Sequence, residues 1–348
     1  MKRLLIYGSV WMLCGSLYSQ GLPNIVFPTL QFNPSARLAG LGTNFASLPE
    51  QDISMAISNA SLLSNELHNT AMLNYADYFS AYSSVNAAYA RDLKTIGVFL
   101  ASMQYVNYGD VETYDAEGNY LGRSNRLYDV ALNVGWGKAL DSSFRIGANF
   151  KYLHSRLTQS HLNGVAVDLS ASYIRAQAKD PWAVSVAFRN IGTVLQQNIV
   201  RDYETLPFEI DLGFYIRASH APFAGSVVLT NLQKWNLSGV DVNAPTINSV
   251  TGDTTSVNKF STFTDNALRH VNLGVEFIPF KWFTFRLGYN YQRRKEMATS
   301  ERPGFVGFSW GIGLKIYNFQ VDYARAAYHL AGAPNYISIS TNLNNFNL

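Results

Sequence analysis

One short motif has the spacing of a hydrolase nucleophile. Gly307-Phe308-Ser309-Trp310-Gly311 matches G-x-S-x-G, which in serine hydrolases lifts the serine onto a strained strand-to-helix turn. Here the match lies inside a run that alternates apolar and small residues as far as Ile316. We therefore expect Ser309 to be a small residue on the polar face of a strand, not a nucleophile.

Two groups of carboxylates could bind a cation or act as acid and base. The stretch Asp110–Asn119 carries four carboxylates, but it lacks the glycine register and the final glutamate of a calcium loop. A solvated hairpin tip is the favoured interpretation. Glu209 and Asp211 lie on one side of a predicted strand, ~7 Å apart by strand rise. No nucleophile or oxyanion site accompanies them, so no catalysis is expected there.

Histidine and cysteine give no further candidate. The six histidines show no metal-ligand spacing, and positions in turns, at the rim and in the lumen account for them. They are His68, His154, His161, His220, His270 and His329. The sequence thus predicts no catalytic residue, no cofactor-binding residue, no metal site and no enzymatic activity.

Residues 1–19 have the features of a signal peptide. A basic start, Met1-Lys2-Arg3, precedes an uncharged apolar run, and cleavage after Ser19 fits the pattern. The only cysteine, Cys14, lies in this segment and lacks the preceding small residue that lipoprotein processing needs. The exported chain would contain no disulfide. Its formal net charge would fall from +3 to +1 with the loss of Lys2 and Arg3, which implies neither nucleic acid nor an acidic partner.

The composition narrows the class of protein. Aromatic residues make up 14% and charged residues 15%, against roughly 25% charged in ordinary soluble domains. No later segment approaches 18 uncharged apolar residues, so no transmembrane helix is predicted. This composition is typical of an outer-membrane β-barrel, and a secreted β-sandwich shares most of it.

Alternating runs from residue 69 onward predict an all-β chain. Residues 20–67 do not alternate, and we interpret them as a periplasmic or plug segment before a barrel over residues 68–348. Fourteen strands are predicted, near residues 69–79, 82–92, 94–108, 126–139, 143–158, 161–177, 181–196, 207–219, 223–238, 267–278, 281–295, 305–317, 318–331 and 335–346. A change of parity near Thr230 predicts a bulge there.

Strand length and loop length favour the membrane barrel. The runs are 11 to 17 residues long, whereas strands of soluble proteins average about 5–6 and a tilted spanning strand needs about 9–11. Tight joins alternate with longer connections, which is the pattern of short periplasmic turns and long external loops. The predicted external loops are 110–125, 197–205, 239–266 and 294–304.

The barrel prediction orients every strand. In hydrocarbon only apolar side chains are cheap on the outside of a closed sheet, so Phe208, Ile210, Leu212, Phe214 and Ile216 should face lipid. The opposite face should line the lumen, where opposite charges can pair. The residues expected in the lumen are Arg145, Lys151, Asp168, Glu209, Asp211, Arg217, Glu276, Arg286 and Lys315.

Several short stretches together carry a resemblance to a known family: Ser35–Gly42, Asp52-Ile53, Asn59–Leu63, Tyr105–Gly109, Leu206–Ile210, His220–Phe223 and Asn231–Trp235. They resemble the PorV/PorQ family, outer-membrane components of the type IX secretion system of the Bacteroidetes. The resemblance implies a fourteen-stranded barrel of the fatty-acid-transporter type, which agrees with the independent strand count.

The resemblance also implies a function and partners. It implies a non-enzymatic anchor for PorZ in an attachment complex with PorU, the sortase, and PorV. That complex processes secreted cargo at the cell surface and links it to anionic lipopolysaccharide. External loops 110–125 and 239–266 would hold the partner. The alternative is passage of a hydrophobic small molecule, which needs a greasy tunnel where the predicted lumen is charged.

Overall fold

The computed structural model describes most of the chain after the predicted signal peptide. It covers residues 26–32, 34–48, 52–78, 82–114, 120–156, 161–195, 205–238, 246–247, 254–255, 259–298, 304–328 and 332–346. The predicted signal peptide 1–19, with Cys14, lies outside these residues, as does His329.

Fourteen antiparallel strands form a closed barrel. The first nine follow one another along the chain, and the last strand, β16, pairs with β1 to close the sheet from Thr70↔Asn342 to Asp77↔Asn335. The fourteen strands are β1 (Thr70–Asp77), β2 (Ser83–Asp92), β3 (Val98–Tyr114), β4 (Tyr120–Ala139), β5 (Phe144–Arg156), β6 (Leu162–Arg175), β7 (Trp182–Val194), β8 (Glu209–Arg217), β9 (Phe223–Leu229), β12 (Val271–Phe280), β13 (Phe283–Asn290), β14 (Phe308–Ile316), β15 (Phe319–Ala326) and β16 (Asn335–Asn342). Between β9 and β12 lies a small hairpin, β10 (Thr246–Ile247) and β11 (Thr254–Thr255). The predicted fourteen-stranded barrel is confirmed.

The two faces of the strands differ as predicted for a barrel in lipid. On β8, Leu212, Phe214 and Ile216 are 37–41% exposed, whereas Asp211 and Tyr215 on the opposite face are buried. Closure pairs every strand edge, which is what a sheet in hydrocarbon requires. This exposed apolar face and the closed sheet are those of an outer-membrane barrel. No helix in the described ranges has the length and apolar character to cross a membrane.

The two ends of the barrel differ in the length of their connections. Turns of two to six residues join β2–β3, β4–β5, β6–β7, β8–β9, β12–β13 and β14–β15, and all lie at the end where β1 begins and β16 finishes. We assign this end to the periplasm, because short turns mark the periplasmic side of such barrels. The opposite, extracellular end carries the long connection between β9 and β12.

Four α-helices and four 3-10 turns accompany the strands in the described ranges. The α-helices are α1 (Ala36–Gly40), α2 (Ile53–Ser58), α3 (Lys259–Arg269) and α4 (Tyr291–Met297), and the 3-10 turns are Pro28–Gln31, Ala60–Leu62, Asn65–Leu67 and Leu343–Asn345. Side-chain oxygens cap the first two helices: Ser35 accepts from the Leu38 amide and Asp52 from the Ser54 amide. Both helices lie in the N-terminal segment.

The N-terminal segment packs against the luminal face of the barrel wall. Helix α1 contacts β13 to β16, and the turn Ala60–Leu62 contacts β4, β5 and β6 on the other side. Luminal glycines make room for it, since a Cβ at Gly147 would overlap the carbonyl carbon of Ala60, and one at Gly288 would overlap that of Leu41. Residues 26–67, where described, therefore fill the barrel. We call them the plug.

The structure corrects four local predictions. The predicted loop 110–125 is mostly strand, because β3 runs to Tyr114 and β4 starts at Tyr120. The predicted strand 281–295 stops at Asn290, whose side chain accepts from the Arg293 amide and starts α4. The predicted loop 239–266 contains most of α3. Strand β9 ends at Leu229, and Asn231 has a left-handed φ of 59°, so the change of parity near Thr230 marks a strand end and not a bulge.

Candidate functional site: a closed lumen beneath an extracellular cap

A buried ionic network ties the plug to the barrel wall. Arg37 of α1 donates to both carboxylate oxygens of Glu276, from Nε at 2.9 Å and from Nη2 at 2.8 Å. Arg286 donates to Glu276 at 2.8 Å and to Asp322 at 2.5 Å. Arg37 also pairs with Asp52 at 3.4 Å. Four of these five side chains are at most 8% exposed, so the charges are paired with each other and not with water.

A second ionic network lies wholly within the wall. Arg189 of β7 donates from Nε to Asp211 at 2.7 Å and pairs with Glu209 through Nη2. Nearby, Lys151 pairs with Asp168 at 2.6 Å. The sequence correctly placed Glu209 and Asp211 in the lumen, among cations that included Arg217. Their partner is Arg189, which the alternation of residues 182–194 could have revealed, because its neighbour Phe188 faces lipid.

Hydrogen bonds to backbone groups fix the rest of the plug. The Ala36 amide donates to Ser338 Oγ at 2.9 Å, and the Ser61 amide donates to Ser170 Oγ at 3.0 Å. In the other direction, Asn149 Nδ2 of the wall donates to the Ile57 carbonyl at 3.1 Å. A backbone segment without strand partners needs such bonds, since buried unpaired amide and carbonyl groups are costly.

Little space remains between plug and wall in the upper lumen. The cavity there, lined by both plug residues and wall residues, has a volume of about 70 Å³. Lys151 and Arg189 contribute to its lining. Apolar side chains of the plug also pack on the wall, as where Leu38, Leu48 and Met55 meet Ile174 and Tyr215. Within the described residues the plug is therefore held by apolar packing together with the ionic and polar contacts.

The residues that suggested chemistry have structural contacts. Ser309 lies in β14, buried, and donates to the Gly40 carbonyl of the plug at 3.1 Å. His270 is buried, and its Nδ1 lies 2.7 Å from the Thr230 carbonyl. His154 Nδ1 lies 2.8 Å from Asn163 Oδ1. In the part of the chain that the structure describes, no group of three or more histidines, cysteines and carboxylates could hold a metal ion.

The acidic stretch 110–119 is only partly described. Asp110 lies in β3 and accepts from Arg126 Nε of β4 at 3.1 Å, an exposed cross-strand ion pair. Asp115 and Glu117 lie outside the described residues, so the predicted solvated hairpin tip and the calcium alternative both stay untested.

Helices α3 and α4 form a cap at the extracellular end of the barrel. Asp265 of α3 joins them: it accepts from Arg269 at 2.8 Å, from the Tyr291 hydroxyl at 2.9 Å, and pairs with Lys295 at 3.3 Å. Burial acts to raise the pKa of Asp265, but these hydrogen bonds and the Arg269 charge outweigh it and hold that pKa below its ordinary value. The cap is thus held together by a carboxylate that stays ionised.

The cap presents three exposed aromatic side chains. Phe260 is 79% exposed, Phe263 is 57% exposed and Trp235 is 50% exposed. The centroid of the Trp235 ring lies 5.1 Å from that of Phe263 and 5.6 Å from that of His270. Because His270 is buried, its ring supports the exposed Trp235 ring from the barrel side. We call these three residues the aromatic patch. An exposed cluster of large aromatic residues is the composition of a protein interaction site.

Together these features define the class of protein: a plugged, fourteen-stranded antiparallel barrel of the outer membrane. No protein-family model matches the sequence, and no curated protein matches it. Solved structures that resemble the chain include the toluene transporter TodX of Pseudomonas putida, with 12% identity over 89% of this chain and 96% of that chain and a TM-score of 0.49. A FadL homologue of Pseudomonas aeruginosa has 10% identity over 87% of this chain and 97% of that chain, with a TM-score of 0.44. These likenesses concern the barrel fold.

Proposed function

We propose that this chain is a non-enzymatic outer-membrane barrel that holds a partner protein on its extracellular end. The observation that carries the proposal is the aromatic patch, displayed on a cap whose helices are joined by ion pairs. Below it the lumen is closed by a plug that is bound through buried charges. A barrel with a blocked interior and an exposed aromatic surface is suited to docking at its end.

The finer proposal names the system. We infer from the sequence resemblance that the chain belongs with the PorV/PorQ family and anchors PorZ, and through it PorU and PorV, in the type IX attachment complex. What supports this proposal is the set of short matching stretches, among them Asn231–Trp235, which contributes Trp235 to the aromatic patch. Cargo processing and attachment to anionic lipopolysaccharide would then take place on the partner proteins.

The predicted contact surface changes in one respect. Stretch 110–125 was expected to share the contact, but its described part is a two-stranded extension with an exposed ion pair. Exposed salt bridges contribute little to binding, whereas buried aromatic residues dominate interfaces. We therefore place the main contact on the cap.

Co-purification of the partner tests the proposal. We would replace Phe260 and Phe263 together with serine, express the tagged barrel in its native host and identify the proteins that copurify from outer membranes. PorZ should accompany the native chain and be lost from the double variant. Phe305→Ser is the matched control, because Phe305 is 82% exposed at the extracellular end but lies outside the patch.

Two outcomes would contradict the proposal. If PorZ copurifies equally with the double variant, the aromatic patch is not the docking surface. If PorZ never copurifies with the native chain, the anchor function itself is wrong. Heat-modifiable migration on a gel shows that each variant still forms the barrel.

A second candidate function is passage of a hydrophobic small molecule. TodX of Pseudomonas putida is a toluene transporter, and the closed fourteen-stranded architecture of this chain is compatible with such an activity. A hydrophobic route needs an apolar pocket large enough for its ligand, however, and the described cavity in the upper lumen has a volume of about 70 Å³. Reduced uptake of long-chain fatty acids or toluene in a deletion strain would favour this candidate, and unchanged uptake would remove it.

A further inference from the structure

The periplasmic end of the lumen contains a cup that the proposed function does not use. Its volume is about 760 Å³, within the range of small-molecule sites. Arg37 and Arg286, which belong to the ionic network between plug and wall, contribute to its lining, and so do residues at the periplasmic ends of β8, β14 and β16. Since that network joins the plug to the wall, the cup has a closed side, and a molecule that enters from the periplasm would be held there.

The cup carries an excess of positive charge. Five cationic side chains and three carboxylates line it: Arg37, Arg217, Lys281, Arg286 and Lys315 against Asp52, Glu66 and Asp322. Arg37 and Arg286 are already neutralised by Glu276 and Asp322. Lys281 and Lys315 form no ion pair with any other described residue. Two ammonium groups at the edge of a concave surface raise the local concentration of anions.

The remaining lining consists largely of neutral groups that both donate and accept hydrogen bonds. They are Thr70, Thr284, Asn318, Gln320, Ser340, Thr341 and Asn342. Asn318, Gln320, Thr341 and Asn342 already donate hydrogen bonds within the protein. Thr284 and Ser340 form no side-chain hydrogen bond with another described residue, so their hydroxyls can donate to a ligand or accept from it. The cup is also much larger than a simple inorganic anion requires, so its ligand should have a polar body as well as a charge.

One rim residue is placed in an unusual way. Tyr317 is 94% exposed and has a φ of 51°, in the two-residue turn between β14 and β15. Positive φ is unfavourable for a bulky residue, and such turns normally use glycine, asparagine or aspartate. Strained residues that persist are often functional. An exposed aromatic ring at the mouth of a polar cup could provide a surface on which the apolar face of a sugar ring packs.

We propose that the periplasmic cup binds an anionic saccharide, a sugar that carries a phosphate or carboxylate group. Lys281 and Lys315 attract the anionic group, the hydroxyls of Thr284 and Ser340 bond to the sugar hydroxyls, and Tyr317 covers the ring. This site is separate from the extracellular cap, so the saccharide proposal and the docking proposal can be tested independently.

Calorimetric titration of the purified full-length barrel in a non-ionic detergent at low salt tests this inference. The ligands are glucose 6-phosphate, glucuronate and, as the neutral control, glucose. We expect saturable binding of at least one anionic sugar, weakened about 25-fold in Lys281→Gln/Lys315→Gln, since each of the two lost charges contributes about fivefold near 4 Å in water. Lys94→Gln, at another periplasmic turn and outside the cup, should bind as the native chain does.

Tyr317→Gly separates a binding role from a turn role. Glycine relieves the positive φ, so this variant should be as stable as the native chain or more stable. If Tyr317 packs on the sugar, the variant still binds more weakly. Its unchanged affinity would remove the aromatic part of the proposal.

The three sugars and the control variant test the kind of anionic group and the location of the site. Preference for glucose 6-phosphate or for glucuronate identifies the anionic group. Equal binding of glucose would overturn the anionic assignment, because it would show that charge is not recognised. No binding of any of the three sugars, or no difference between the double lysine variant and Lys94→Gln, would overturn the site.

Discussion

Loss of the Arg37 side chain should release the plug from the wall. In Arg37→Ala, Glu276 loses two hydrogen bonds of 2.9 and 2.8 Å and keeps only its bond from Arg286, which must also neutralise Asp322. One negative charge is then left without a partner among side chains that are 2–6% exposed. Removal of one member of a buried ion pair costs about 3–5 kcal/mol. We expect the free energy that holds the plug to fall by about that amount.

Hydrogen exchange measures this local free energy directly. Amides of α1 exchange when the plug opens, and every ~1.4 kcal/mol lost accelerates exchange tenfold. Exchange in residues 36–41 should thus be faster by about two to four orders of magnitude in Arg37→Ala, with the barrel strands little changed. Arg126→Ala is the matched control: its ion pair with Asp110 joins side chains that are 64% and 47% exposed, so it should cost about 0–1 kcal/mol.

A compensating variant shows whether charge is the reason. Arg37→Leu/Glu276→Gln removes one positive and one negative charge and leaves the Arg286–Asp322 pair balanced. It should recover much of the lost protection, because replacing a buried pair with uncharged groups is often neutral. If Arg37→Ala exchanges no faster than Arg126→Ala, or if the double variant is worse than the single one, the reasoning about buried charge is refuted.

Three further predictions concern packing, pH and conductance. Gly147→Ala should lower the free energy of unfolding in urea by about 1–3 kcal/mol, since the added Cβ overlaps the plug. Gly225 has open space around it, so Gly225→Ala should change that free energy by less than about 0.5 kcal/mol. Equal effects of the two variants would contradict the assigned packing. The pKa of Asp265 is lowered in the folded cap, so the stability that its carboxylate contributes is complete above its unfolded pKa of about 4 and is lost as pH falls through the folded pKa. The urea midpoints of the native chain and of Asp265→Asn should therefore converge below about pH 4. Deletion of residues 26–67 should give a steady open conductance in planar bilayers where the native chain gives none, and a silent deletion variant would show that another part of the chain closes the lumen.

The barrel was predictable because its signal is local. Each spanning strand places apolar side chains toward lipid and small or polar ones toward the lumen, so alternation together with turn residues located the fourteen strands, although residues 94–108, 223–238 and 335–346 alternate poorly. The signal failed where the chain leaves the hydrocarbon. The described parts of stretch 110–125, which are 110–114 and 120–125, extend β3 and β4 beyond the hydrocarbon, where neither face must be apolar, and their polar composition predicted a loop. The predicted strand 281–295 was too long: its alternation stops at Tyr291, Gln-Arg-Arg-Lys follows, and Asn290 caps a helix there.

The contacts inside the lumen were less predictable, because the side chains that pair there are distant in sequence. Alternation assigned Glu276 and Arg286 to the lumen, and they do pair. Nothing in the local pattern connects Arg37 with Glu276, which are 239 positions apart. The cap depends likewise on Asp265 and Tyr291, which meet only after β12 and β13 have crossed the membrane and returned. Such contacts follow from closure of the barrel, which a local pattern does not encode.

The placement of charge in the lumen bears on the choice between docking and transport. The network of Arg189 lies in the wall and would survive departure of the plug, whereas that of Arg37 would not. A hydrophobic ligand carries no group that could replace the guanidinium on Glu276, so it would have to offset the ~3–5 kcal/mol lost when the plug leaves through apolar burial alone. A ligand shifts a conformational equilibrium only by its difference in affinity for the two states, and inverting a 1:99 equilibrium takes about 5.5 kcal/mol. Transport that displaces the plug would therefore need a ligand that binds the open lumen more tightly by that amount, whereas a partner that docks on the aromatic patch does not have to displace the plug.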